Sequence, residues 1–381
     1  MKQAWYRPRW LAVMLIGIMS LWGSAVFGGP RQDARQRVHT QTATDEKLSI
    51  KILQLDPLAR SLGLSDIIYL DGIIDTAAAN RFEHEVNTRN IESAIVHLNS
   101  PGGNLFEGMR LGRLIRKFGF STYVGRWEGK ALTKAAWMQH KNKVPGECYS
   151  ACVFAFVGGY FRYLTDASTI GVHRFSKTTA SSSDLALAQV ISGQITSYLS
   201  EMGVDVALFE LMSQVSSDGI RIISETAAKR YRVVNNGYQP SSWSIEVLKE
   251  GIYLRGVQTA WYGTGKANFI CGSQGRIAFM PMYQAGDRAE SISKAAVKHS
   301  FRVDEMFLPL ETTEPPVLDL GKGYVGTIVG LPEEYISLLL KAKTVGYAVH
   351  PLNPGIFWGF TVDIDNAGEK INNFINNCKY K

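Results

Sequence analysis

The sequence predicts an α/β protein built on a largely parallel sheet, followed by a mostly-β C-terminal region. Three observations carry that prediction. From residue 65 onward, β-branched strand segments alternate with amphipathic helical segments, an order that requires crossover connections. Beyond residue 250 the segments become short and alternating, divided by Gly and Pro. At 381 residues the chain is also long enough for two separate cores.

In order along the chain, Lys2, Arg7 and Arg9 precede the apolar run "WLAVMLIGIMSLW" and the small-residue exit "GSAVFGG". That order of charge, apolar stretch and small residues reads as a secretory signal over residues 1–28. The run is short for a membrane span, which needs ~20 residues. Cleavage and retention as an inner-membrane anchor both stay open, so membrane proximity does too. Residues 29–47 are polar and aperiodic, as a flexible tether is. Losing the three basic residues of the leader lowers the net charge from +7 to about +4, too weak to argue for nucleic acid.

The first domain is expected over residues 48–238. "SDIIYLDGIID" and "SAIVHLNS" read as strands. Between them "DTAAANRFEHEVN" reads as a helix with Asp75 as its N-cap. "NLFEGMRLGRLIRKFG" follows, with Asn104 and Glu107 in capping-box spacing. Leu111, Leu114, Ile115 and Phe118 form its apolar stripe, and Gly119 ends it. "FSTYVG" resumes a strand. The basic segment "RWEGKALTKAAWMQHKNKVPG" interrupts the alternation and reads as an exposed insertion. The pattern resumes through "GECYSACVFAFVGG" and the strand "STIGVHRF". Two helical segments, "SSSDLALAQVISGQITSYLSEMG" and "DVALFELMSQV", close this half. Turn residues gather over 235–250, and residues 250–381 read as a mostly-β domain ending in the helical "AGEKINNFINNC".

In both "LNSPGGN" and "CYSACVFAFVGG" a strand ends at small residues and a helix begins. Gly102 and Gly103 leave main-chain N–H groups unshielded. Ser150 precedes an apolar helix, so the Ala151 N–H and the helix dipole face the same space. Such amides suit a developing oxyanion. Ser150 needs a base, and His173 follows at the end of the next strand, where neighbouring parallel strand ends lie together. His97 and His140 read instead as a packing and a solvated residue.

"YLDGIID", "LNSPGGNLFEG", "YSACVFAFVGG" and "GVHRF" together resemble the Clp protease proteolytic subunit and its relatives in the crotonase-like superfamily. The resemblance covers about residues 48–238. It implies a crotonase-like superhelix of ββα units and a serine peptidase with Ser150 as nucleophile and His173 as base. It further implies Asp218 as third member, although two extra residues separate Asp218 from Ser224, and the amides of Gly102, Gly103 and Ala151 as oxyanion hole. The family's cytosolic members are rings fed by an ATP-driven unfoldase. An exported chain meets no ATP in the periplasm, so that partner does not carry over. The whole is similar to exported Clp-like proteins.

The expectation is therefore a periplasmic, ATP-independent serine hydrolase acting on protein or peptide, with no cofactor. The alternative is a non-catalytic binding scaffold that keeps the fold. A Ser–Lys dyad is the nearest rival mechanism. No lysine stands between Thr178 and Ala228, so Lys130, Lys134 or Lys177 would have to reach back. An acyl-CoA enzyme of the superfamily is the third reading, and export removes it from its CoA pool. Assembly into a homo-oligomer stays open. The four cysteines, Cys148, Cys152, Cys271 and Cys378, lack a Cys/His complement for zinc, so no metal is expected. An oxidising compartment favours bridges instead, although connectivity cannot be read from sequence. One is Cys148–Cys152, holding the turn at Ser150, with two free buried cysteines packing that turn as the alternative. The other is Cys271–Cys378, tying the chain end to the β region.

Overall fold

The computed structural model describes residues 47–61, 64–127, 144–175, 184–248, 251–311, 317–353, 355–365 and 367–379. Those residues belong to one compact unit. The leader, nearly all of the tether, and residues 128–143 of the basic insertion (with His140) lie outside the described residues.

The architecture is mixed α/β, with several sheets and helices. In the first half β1 (Ser49–Leu53), α1 (Pro57–Ser61), β2 (Asp66–Asp71), α2 (Ala78–Thr88), β3 (Ala94–Asn99), α3 (Leu105–Lys117) and β4 (Ser121–Val124) follow in order. Then come β5 (Glu147–Tyr149), α4 (Ala151–Val157), β6 (Arg162–Leu164), β7 (Thr169–Val172), α5 (Asp184–Glu201), α6 (Ala207–Ser213), β8 (Arg221–Ile222) and α7 (Glu225–Arg230). One sheet has the order β1-β2-β3-β4-β6, with β2, β3, β4 and β6 all parallel and β1 antiparallel at the edge. A smaller sheet, β5-β7-β8, pairs β5 with β7 in parallel. The two sheets meet at a bridge between Ser100 and Cys148.

Local chemistry explains the helices that position the site. In α3 the Asn104 side chain accepts the Glu107 N–H at 3.0 Å, which satisfies one orphan donor. The reciprocal half of the capping box is absent, because the Glu107 carboxylate reaches the Ala79 N–H of α2 instead. Leu111, Leu114 and Ile115 are buried. A Cβ at Gly108 would strike the Ala151 carbonyl, so the missing side chain lets α3 lie directly on α4. Every residue of α4 is buried. Asp75 does not cap α2 as expected: the helix starts at Ala78 behind Ala77. The Asp75 carboxylate is drawn into an ion pair with Arg81 at 2.6 Å and accepts the Ala77 N–H on the way in. Arg81 holds that carboxyl well below the usual carboxylate range.

Aromatic rings stand in register across the parallel strands. Tyr69 faces His97, His97 faces Tyr123, and Tyr123 faces Tyr163, with centroids 4.8, 5.4 and 4.5 Å apart. Fully buried Arg162 on β6 donates to the carbonyls of Val157, Gly159, Met202, Arg232 and Val233. Its guanidinium thus ties the ends of α4 and α5 to the segment after α7, and burial lowers its pKa to about 9.

The second half is antiparallel. Strands β9 (Ser242–Leu248), β10 (Gly251–Ala260), β11 (Gly263–Cys271) and β12 (Ile277–Gln284) precede α8 (Ala289–Ala295), β13 (Lys298–Val303) and β14 (Met306–Pro309). Then follow β15 (Leu318–Asp319), β16 (Tyr324–Gly326), β17 (Val329–Gly330), α9 (Glu333–Leu339), β18 (Thr344–His350), β19 (Trp358–Asp363) and α10 (Gly368–Lys379). One sheet runs β15-β16-β12-β11-β10-β9, with β17 also on β12, and the other runs β14-β13-β18-β19. Two hydrophobic clusters form, one within residues 48–234 and one within 243–378. Both cysteine pairs stand at disulfide distance as expected. The Cα atoms of Cys148 and Cys152 are 5.2 Å apart, and those of Cys271 and Cys378 5.5 Å.

Candidate active site

The parallel strands bring three segments to one edge. The Ser100 N–H donates to the Glu147 carbonyl at 2.7 Å, and the Tyr149 N–H to the Ser100 carbonyl at 3.0 Å. These bonds align the end of β3 with β5. Tyr149 is in register with Gly171, and the Ser150 N–H donates to the Gly171 carbonyl at 3.0 Å. Ser150 and His173 therefore both lie just past the ends of adjacent parallel strands.

Ser150 joins β5 to α4 at φ 55°, ψ −122°. An L-residue pays roughly 1–3 kcal/mol for such a backbone. The conformation turns strand into helix within one residue, and the serine side chain makes no cap hydrogen bond. Gly102, at φ 113°, passes against it: a Cβ there would lie 2.7 Å from Ser150 Cβ and 3.2 Å from Ala151 N.

The expected amides separate by their partners. The Gly102 N–H donates to Ser100 Oγ at 3.1 Å and is spent. Among the described residues, the N–H groups of Gly103 and Ala151 have no main-chain acceptor. Gly103 lines the same cavity as Ser150. The free pair is thus Gly103 and Ala151, a distinction that the Gly-Gly spacing alone does not make.

Ser150 and His173 share a cavity of about 680 Å³, otherwise walled largely by apolar side chains including Phe106, Phe154, Phe175, Leu187 and Met212. No hydrogen bond joins Ser150 to His173 among the described residues. The His173 Nδ1 donates to the Arg174 carbonyl at 2.8 Å. A carbonyl accepts only, so this bond places the proton on Nδ1 and leaves the Nε2 lone pair open. Asp218 is fully exposed and accepts the Ser216 hydroxyl, a bond that lowers its pKa together with the nearby charge of Arg174. Its turn packs beside His173 through the Arg174 N–H and the Val215 carbonyl, 3.1 Å apart. Among the described residues, neither Asp218 nor any other carboxylate is hydrogen-bonded to His173. Lys130, Lys134 and Lys177 lie outside the described residues. His97 stands in the aromatic row, away from this cavity's lining.

No protein-family model matches the chain, and no curated protein matches it. Among solved structures it is similar to a mutant of the 1510-N membrane-bound stomatin-specific protease. Identity is 16% over 44% of this chain and 75% of that one, with a TM-score of 0.31. A likeness at that score assigns neither fold nor activity. No helix among the described residues is long and apolar enough to cross a membrane.

Proposed function

We propose that the chain is an ATP-independent serine hydrolase of the periplasm, a peptidase whose first half is a Clp-protease-like, crotonase-type superhelix. The observation that carries this reading is Ser150, held in a strained strand-to-helix turn and opening into an apolar cavity with His173. Nothing structural requires that strain at a mere helix cap, where an ordinary β-region backbone serves. The Ser150 oxygen attacks the substrate carbonyl while His173 Nε2 takes its proton, then returns it to the leaving amine. The Arg174 carbonyl holds the imidazole in the required tautomer. The negative oxygen that develops accepts from the Gly103 and Ala151 N–H groups. The apolar walls take a large apolar side chain of the substrate. Two cysteine pairs at disulfide distance support an oxidising compartment.

A fluorophosphonate probe tests the reading. Labelling of the wild type, lost in Ser150→Ala and strongly reduced in His173→Ala, is the expected result. The scaffold reading draws on one observation, that no carboxylate among the described residues is hydrogen-bonded to His173, and it predicts no labelling of the wild type.

A further inference from the structure

A second cavity, of about 1570 Å³, lies between the segment that follows α7 and the strand ends of the C-terminal half. It shares no lining residue with the Ser150 cavity. Small-molecule sites occupy roughly 300–1,000 Å³, so its size suits a segment of a polymer.

Seven arginine or lysine side chains line it against four carboxylates. The groups already engaged can be set aside. Arg162 is spent on main-chain carbonyls, Lys370 on the Trp243 carbonyl and Lys229 on Glu225. Asp304 accepts the N–H groups of Lys343 and Thr344, and Asp363 accepts from Gln258. Among the described residues, Arg230, Arg232, Arg288 and Arg302 form no salt bridge. Arg302 is the most telling of these. Its guanidinium carbon sits 4.9 and 5.3 Å from the ring centroids of Phe307 and Phe357, and its buried Nε has no hydrogen-bond partner. A stacked guanidinium is pre-organised for a carboxylate, which its planar fork meets with two parallel bonds.

Of the three side-chain amides in the lining, Asn235 and Gln239 are occupied, and Asn236 makes no side-chain hydrogen bond among the described residues. Asn235 bonds the main chain at Arg162 and Tyr160, and Gln239 bonds the Tyr160 carbonyl. What remains is an excess of positive charge, Arg230, Arg232, Arg288 and Arg302 against Glu305 and Asp365, together with exposed aromatic surface, chiefly Trp261 (66% exposed) and Phe357 (43% exposed). These two rings stand on separate segments and suit separate apolar side chains, as a peptide presents them, rather than a continuous sugar face.

We propose that this cleft binds an acidic peptide segment, its carboxylates held by the free arginines and its apolar side chains by Trp261 and Phe357. The site is independent of any chemistry at Ser150.

Fluorescence anisotropy of a labelled Glu-Tyr repeat peptide, titrated with the full chain carrying Ser150→Ala, tests this. Saturable binding is expected that weakens with added salt and is absent for the matched Lys-Tyr peptide. An Arg230→Gln, Arg232→Gln double variant and Arg302→Gln should each weaken it by about tenfold or more, with unchanged melting temperature for the exposed pair. Equal binding of the Lys-Tyr peptide, undiminished binding by the double variant, or preference for oligogalacturonate (a carboxylated sugar polymer) overturns the proposal. Fluorophosphonate labelling of the wild type reads the other cavity, so failure of one reading leaves the other standing.

Discussion

At Ser150 the backbone conformation and the neighbouring glycine form one device. A side chain at position 102 cannot coexist with the serine, both because of the 2.7 Å approach and because φ 113° disfavours any L-residue there. Gly102→Ala is expected to cost roughly 2 kcal/mol of stability and to abolish probe labelling, checked by urea titration and fluorophosphonate reaction. Asp218 gives the contrasting case. With the Arg174 carbonyl already on Nδ1, Asp218→Asn should leave turnover within a few-fold of wild type. A loss of orders of magnitude would show that the 215–218 turn moves onto His173 during catalysis. That Ser150 and His173 meet in one cavity was legible in the sequence, because each is placed by its own strand end. Which amide is free was not legible, since that depends on where the Ser100 hydroxyl points. The Arg174 carbonyl was equally hidden, because any residue type supplies one.

Among the elements, the long helices declared themselves: α3 falls where the apolar spacing puts it, and α5 and α10 fall in segments that read as helical. The sequence pattern passed over β13 and β18, although they pair along their full lengths at the centre of the second core. β18, "TVGYAVH", is buried at nearly every position and so lacks the alternation that marks a half-exposed strand. The helices α8 and α9 have seven residues each, too short for a periodic signal. The Cys271–Cys378 pair joins the end of β11 to α10 across 107 residues. Closing so long a loop is worth up to about 4–5 kcal/mol on the chain-entropy model. Replacing both cysteines by serine should lower the denaturation midpoint of the C-terminal half. Peptide mapping without reductant should recover the two linked in the wild type.

For the molecule as a whole, pH acts most directly on the second core. His299 is buried beside the Tyr347 hydroxyl at 3.0 Å, and burial holds its pKa below the ordinary value, with His350 adding like charge. The folded chain therefore binds its proton less readily than the unfolded chain. Stability should be full above about pH 6.5 and fall as the pH drops through that value toward the lower folded pKa. Urea midpoints between about pH 7 and pH 5 should show this slope, and His299→Phe should flatten it.

The two cysteine pairs have one more consequence. Four cysteines admit three pairings, and here each cysteine is bonded to the next one along the chain, first to second and third to fourth. An oxidase that joins thiols in chain order would make Cys148–Cys152 before Cys271 takes part. Cys271 would then pair with Cys378, the first two thiols being already joined. Oxidation in chain order thus yields this pairing directly, with no mistake for an isomerase to correct.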